Sequence, residues 1–160
     1  DLEHQGYHFE AADGSFELLV RNLTGWVQPY FELESFRVDT IRRVDEEVTA
    51  EATVKIVVDG ERRLSVGEGV GPVHALDQAL RRAQRPHHPV VSDLRLVDYR
   101  VRVLDSTDGT SAKVRVLLET ADHHQSWSTI GVHENVIEAS WEALVDGIVV
   151  GLLRHEREQD

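Results

Sequence analysis

The sequence predicts an α+β fold of two pseudo-symmetric βββα units, antiparallel sheets sandwiched with helices, preceded by a short helical linker. Three observations predict it. Several runs alternate apolar and polar residues with period two, the mark of half-buried strands. Each set of such runs leads into a segment with apolar residues at helical spacing. Shifting the sequence by 64 positions then lays one set on the other: Gly67 falls on Gly131, Val73 on Ile137, Ala75 on Ala139, and Ala79-Leu80 on Ala143-Leu144. Identity between the halves is low, so the repeat is one of structure. Antiparallel strands with helices on one face make a two-layer α+β sandwich, and units with two similar halves commonly pair into symmetric assemblies.

Taken in order, Gly6 to Leu23 reads as a helix, with Phe9, Phe16, Leu19 and Leu23 at helical spacings and Gly14 as a weak point. Thr24-Gly25 ends it, and Trp26 to Phe31 is an irregular linker broken by Pro29. From Glu34 the period becomes two: Phe36, Val38 and Thr40, then Val48, Ala50, Ala52, Val54, Ile56 and Val58. Asp59-Gly60 is a strong hairpin signal, and Leu64 and Val66 return on the next strand. Gly67, Gly69 and Gly71 precede Pro72, which suits a first helical position. A helix follows over about Val73 to Gln84. Leu94 to Val103, Val114 to Leu118 and Trp127 to Gly131 form three further strands, with turns at Thr107 to Gly109 and His123-His124. Asn135 caps a last helix. The expected organisation is a linker at 1–31 and a domain at 32–160, with repeats at about 34–88 and 92–155.

Composition bounds the function. The chain has 160 residues, 41% hydrophobic and 29% charged, as in ordinary soluble domains. The formal net charge of −12 repels phosphate backbones, so no nucleic-acid partner is expected; Arg81, Arg82 and Arg85 read as the solvated end of a helix. No apolar run reaches membrane-spanning length and no signal pattern opens the chain. Cysteine is absent, which removes disulfides, thiolate metal sites and a cysteine nucleophile; a cytoplasmic setting is the default. Methionine is absent even at position 1, so the chain reads as a piece of a longer protein.

No catalytic or metal constellation is legible: G-x-S-x-G, P-loop and H-E-x-x-H patterns are all missing. Of the nine histidines, His87-His88 and His123-His124 are adjacent pairs in expected turns, and neighbours on extended chain point to opposite faces. His4 and His8 share a helical face without a third ligand. His74 and His133 stand near helix starts, where a pocket wall and a plain surface position are both open readings. Trp127 and Trp141 read as core or interface residues. Glu138 and Asp146, eight residues apart on the last helix, read as a solvated face. The strand-to-helix junctions carry more. Glycines let a ligand approach the backbone, and the N–H groups of a helix start attract a carboxylate; the alternative is that these glycines only make tight turns.

The same junctions carry a family resemblance. The run Gly6-Tyr7-His8-Phe9-Glu10-Ala11-Ala12-Asp13-Gly14-Ser15-Phe16-Glu17-Leu18-Leu19 resembles the linker of citramalate synthase-like proteins. Gly71-Pro72-Val73-His74-Ala75-Leu76-Asp77 is similar to the G-P-V-N-A-L-D motif of their regulatory domain, with His74 in place of Asn and Val70 in place of the usual Asn before Gly-Pro. Leu96 to Leu104 resembles their L-x-D-Y-K-V-R-I-L strand. Trp127 to Val132 and Asn135 to Trp141 resemble W-x-T-V-G-V and N-I-I-E-A-S-W. The related 2-isopropylmalate synthases share the domain but match these motifs less closely. The resemblance implies the C-terminal regulatory part of an acyltransferase, which dimerises and binds an end-product amino acid: isoleucine first, leucine next. It implies an N-terminal TIM barrel in the same polypeptide, using a divalent metal and acetyl-CoA, with no cofactor or catalytic residue in the present chain. The effector positions it implies are Gly69, Gly71, His74, Tyr99, Val103 and Val132. The rival reading is a structural dimerisation module that binds no effector.

Overall fold

The computed structural model describes residues 6–7, 11–104 and 112–160. The expected turn at Thr107 to Gly109, the His4/His8 pair and Phe9 lie outside the described residues. Two compact units emerge, each a three-stranded antiparallel sheet with a helix, in an α+β fold of two βββα units. A central unit spans Gln28–Ser92; a terminal unit combines the chain up to Val27 with the chain from Asp93.

In the central unit, β1 (Glu32–Ile41), β2 (Thr49–Val58) and β3 (Glu61–Gly69) lie in that order, followed by α2 (Pro72–Gln84). The Asp59-Gly60 turn works as its sequence requires: both residues have positive φ, 51° and 76°, which matches the twist of a two-residue hairpin. Alternation places Ala50, Ala52, Val54, Ile56 and Val58 of β2 in the core, where they meet Ala75, Leu76, Ala79 and Leu80 of α2, all fully buried. Leu64 and Val66 pair with Lys55 and Thr53 on the opposite, exposed face. One expectation is corrected here. Arg81 is not solvated but 7% exposed, and its Nε donates to Asp77 Oδ1 at 2.9 Å. The helix therefore buries a charge together with its counter-charge one turn away, which burial of either alone would not allow.

In the terminal unit, β4 (Arg95–Val103), β5 (Val114–Ala121) and β6 (Ser126–His133) form the second sheet, and α3 (Val136–Glu158) follows. Val116, Leu118, Thr129 and Trp127 bury one face of this sheet under α3, and Trp127 Nε1 donates to the Gly147 carbonyl at 2.9 Å. The first helix, α1 (Asp13–Leu23), packs on α3 and β6. It begins later than Gly6, whose φ of +106° is not helical. Gly14 does not break it; a Cβ there would meet the Ser128 carbonyl at 2.9 Å, so the glycine lets the first turn lie against the strand.

Candidate effector site

The two strand-to-helix junctions share one device and differ in another. A Cβ on Gly67 would run into the Ala75 carbonyl, and a Cβ on Gly131 into the Ala139 carbonyl. These repeat-related glycines thus serve helix-on-strand packing, as the tight-junction reading has it. Gly71 is different. It precedes α2 in extended conformation (φ −143°, ψ 169°), and a Cβ there would touch nothing within 4 Å. The start of α2 has no side-chain cap and opens with Pro72, whereas Asn135 Oδ1 at the start of α3 accepts from the N–H groups of Ile137 and Glu138 at 2.8 and 3.3 Å. A helix start carries unpaired donors and a partial positive charge. Of the two junctions, then, the first has no side-chain cap on its helix start, and the second has two of its donors committed to Asn135.

The expected effector residues fall into two groups. Gly69, Gly71 and His74 lie together at the α2 junction of the central unit. The His74 ring folds over Gly69, where a Cβ would come within 2.7 Å of its Nδ1, and His74 Nε2 stands 3.5 Å from the Gln78 amide. Tyr99, Val103 and Val132 belong to the terminal unit. Register puts Tyr99 opposite Leu118 and Val103 opposite Val114, on the helix-bearing face. Contacts of α3 concentrate on β6 and β5, so this part of β4 stays open: Tyr99 is 40% and Val103 53% exposed. The Tyr99 hydroxyl reaches Ser140 Oγ at 3.4 Å. Val132 pairs with Arg115 and therefore points to the other face, 8% exposed, packed with Ala12 and Ile130. Tyr99 and Val103 share one face of β4, four residues apart, and Val132 is not on that face; His133 is the residue in line with Val103.

Sequence reading missed a second cluster. Asp146, expected on a solvated face with Glu138, is instead partly buried and accepts a hydrogen bond from Ser15 Oγ at 2.8 Å. The Tyr7 hydroxyl donates to Glu142, one turn earlier. With Leu18, Ile130 and Leu19 these groups line a pocket of about 220 Å³. Burial pushes the Asp146 carboxyl up to about 7, reinforced by the Glu142 charge and opposed by the Ser15 hydrogen bond; burial likewise raises Glu142 and Tyr7. A signal was present: Glu138, Glu142 and Asp146 repeat at four-residue intervals, and like charges so spaced repel on a helix unless something neutralises them. Among the described residues no group of three or more His, Cys, Asp or Glu is arranged to hold a metal, and no helix is long and apolar enough to cross a membrane.

Comparison with known proteins agrees with the junction motifs. The chain is 48% identical over 159 residues to (R)-citramalate synthase of Aquifex aeolicus, covering 99% of this chain and 30% of that protein. It is 49% identical to the Synechocystis enzyme of the same name (95% and 28% covered) and 50% identical to that of Streptomyces coelicolor (96% and 29%). The chain thus spans under a third of the length of these relatives. The family model for the LeuA allosteric (dimerisation) domain matches residues 10–152, and with the two βββα units in place the chain belongs to that family.

Proposed function

We propose that this chain is the effector-binding and dimerising part of a citramalate synthase-like acyltransferase, and that it senses a branched-chain amino acid, isoleucine before leucine. The observation that carries this reading is the uncapped start of α2 with open space at Gly71. An amino acid's carboxylate would take the N–H groups beyond Pro72. The open apolar row of β4, Tyr99, Val101 and Val103, would meet a second copy of the chain. In the full protein a TIM barrel with a divalent metal and acetyl-CoA would carry out the condensation, in the cytoplasm. The effector would regulate it only through a difference in affinity between two states of the dimer.

The test is calorimetric titration of isoleucine, leucine and valine into the chain, cross-checked by melting, because a ligand of the folded state raises its stability by mass action. Selective heat with isoleucine is expected. Absence of heat and of any melting shift with all three would leave the alternative, a dimerisation module with no effector. The His74 ring lying over Gly69 favours that alternative, since it fills space beside the junction.

A further inference from the structure

One face of α1 is fastened to the terminal unit. Asp13 Oδ1 accepts from the Ser128 N–H at 2.8 Å and Ser15 Oγ from the Ile130 N–H at 2.9 Å, which pins the first turn along β6. Ser15 donates onward to Asp146 of α3 at 2.8 Å, Leu18 is buried, and Glu17 pairs with Arg154 and Arg157. Ser15 and Leu18 are three residues apart and share a helical face. Phe16, Val20 and Leu23, spaced by four and by three, share the face opposite. A helix on the surface of a domain ordinarily turns charged and polar residues outward. Here the outward row is apolar. Val20 is 44% exposed and Leu23 79%, Phe16 is half exposed beside them, and Val27, just past the helix, is as exposed as Leu23. Apolar residues on both sides are the pattern of a helix lying between two layers, and β6 with α3 supplies one of those layers.

We propose that the outward row of α1 is the seat of the catalytic part of the same polypeptide. The inference rests on the reading above, in which this chain is one part of a longer enzyme. The chain spans under a third of the length of its relatives, so most of each relative's polypeptide lies outside the stretch that this chain matches. A second copy of the chain has another place to sit. The apolar row of β4, Tyr99, Val101 and Val103, is at the opposite edge of the sheet from β6, where α1 packs, so the two rows meet different partners. Size separates them too. With its 11 residues, α1 is about 16 Å long. One face of it falls well short of the roughly 800 Å² per partner that is buried where separate chains hold together. A part joined through the chain itself needs no such area, because the tether supplies an effective concentration on the order of millimolar. The surface that fits this row is apolar, a shallow groove for Val20 and Leu23 with no charge on its floor, since a charge buried there would go unpaired.

Thiol labelling tests this, because the chain has no cysteine of its own. Leu23→Cys puts a thiol on the row, and Val44→Cys puts one on the loop between β1 and β2, where the residue is 89% exposed. Alkylation by N-ethylmaleimide is timed for each, in the 160-residue chain and in the longer polypeptide. Mass spectrometry of the peptide that holds the substituted position keeps thiols elsewhere out of the count. Both positions should react fast in the 160-residue chain. In the longer polypeptide the rate at position 23 relative to position 44 is expected to fall about tenfold or more, as for a site reached only when a contact opens. An unchanged ratio overturns the proposal. A position 23 already slow in the 160-residue chain overturns it as well, and reactivity that returns on dilution assigns the row to a second copy. The ratio reads contact alone. A longer polypeptide that condenses no keto acid with acetyl-CoA, or that binds no amino acid, would count against the functional reading and leave this measurement standing.

Discussion

The two βββα units run the same element order and share the glycine that seats helix on strand, yet they are finished differently. In the central unit the helix is 13 residues long, starts uncapped at Gly71-Pro72, and buries an ion pair between Asp77 and Arg81. In the terminal unit the helix is 23 residues long, starts on the Asn135 cap, and buries carboxyls against hydroxyls. The common part is what the fold requires; the differences mark where each unit does something of its own. An uncapped helix start leaves N–H groups without a side-chain acceptor, and a carboxyl buried against hydroxyls is a group whose charge depends on its surroundings.

The largest test of the contrast is removal of the one counter-charge. Arg81→Met keeps the apolar stem but leaves Asp77 buried alone, and breaking a buried pair costs about 3 kcal/mol. Burial already pushes Asp77 upward, with Arg81 pulling it back; without Arg81 the folded-state pKa rises further. A raised acid favours folding at low pH and loses that contribution as pH rises through the folded value. The destabilisation, read by urea unfolding with circular dichroism, should therefore be larger at pH 7 than at pH 4. Equal losses at both would mean that Asp77 stays ionised and that water reaches it.

Next in size is the shared glycine. A methyl at residue 131 or 67 would strike the carbonyl of Ala139 or Ala75, and forced overpacking costs about 1–3 kcal/mol. All three tryptophans, Trp26, Trp127 and Trp141, fall in the terminal unit, so fluorescence reads that unit. Gly131→Ala should shift the fluorescence transition, and Gly67→Ala should shift a dichroism signal while leaving fluorescence nearly in place. Coincident shifts in both probes for both variants would show that the units unfold as one and that the comparison between them is only geometric.

How much of this was legible beforehand follows from what sequence encodes. Period-two runs, the Asp59-Gly60 turn, Pro72 and Asn135 each act through neighbours in the chain, and the structure has them where the pattern put them. The 64-residue offset was legible because both glycines answer one steric demand. Strand parity was legible too, and it sets Val132 on the face away from Tyr99 and Val103, a consequence that motif matching by itself passes over. Partners distant in sequence were not. Ser15 meets Asp146 across 131 residues and Tyr7 meets Glu142 across 135, so nothing local distinguishes these acids from a solvated row. Arg81 shows the opposite failure: its partner is only four residues away, but burial is decided by the sheet beneath the helix, and the run of arginines around it reads as surface.

The smallest and most discriminating prediction exchanges the two helix starts. Asn135→Ala removes the α3 cap and should cost about 1 kcal/mol, with no effect on an amino acid held at the other junction. Gly71→Asn does the reverse. Its extended backbone suits a capping residue, and the added side chain meets open space. Since glycine is already a tolerable cap, the gain should be only a few tenths of a kcal/mol. The informative quantity is the ligand. If a carboxylate uses the N–H groups beyond Pro72, the introduced amide oxygen competes for them, and isoleucine affinity should fall about tenfold or more while the chain melts no lower. That pairing, a steadier helix with a weaker ligand, is hard to produce by damage to the fold. Unchanged affinity in a variant that gains stability would move the effector away from the α2 junction and towards the open face of β4.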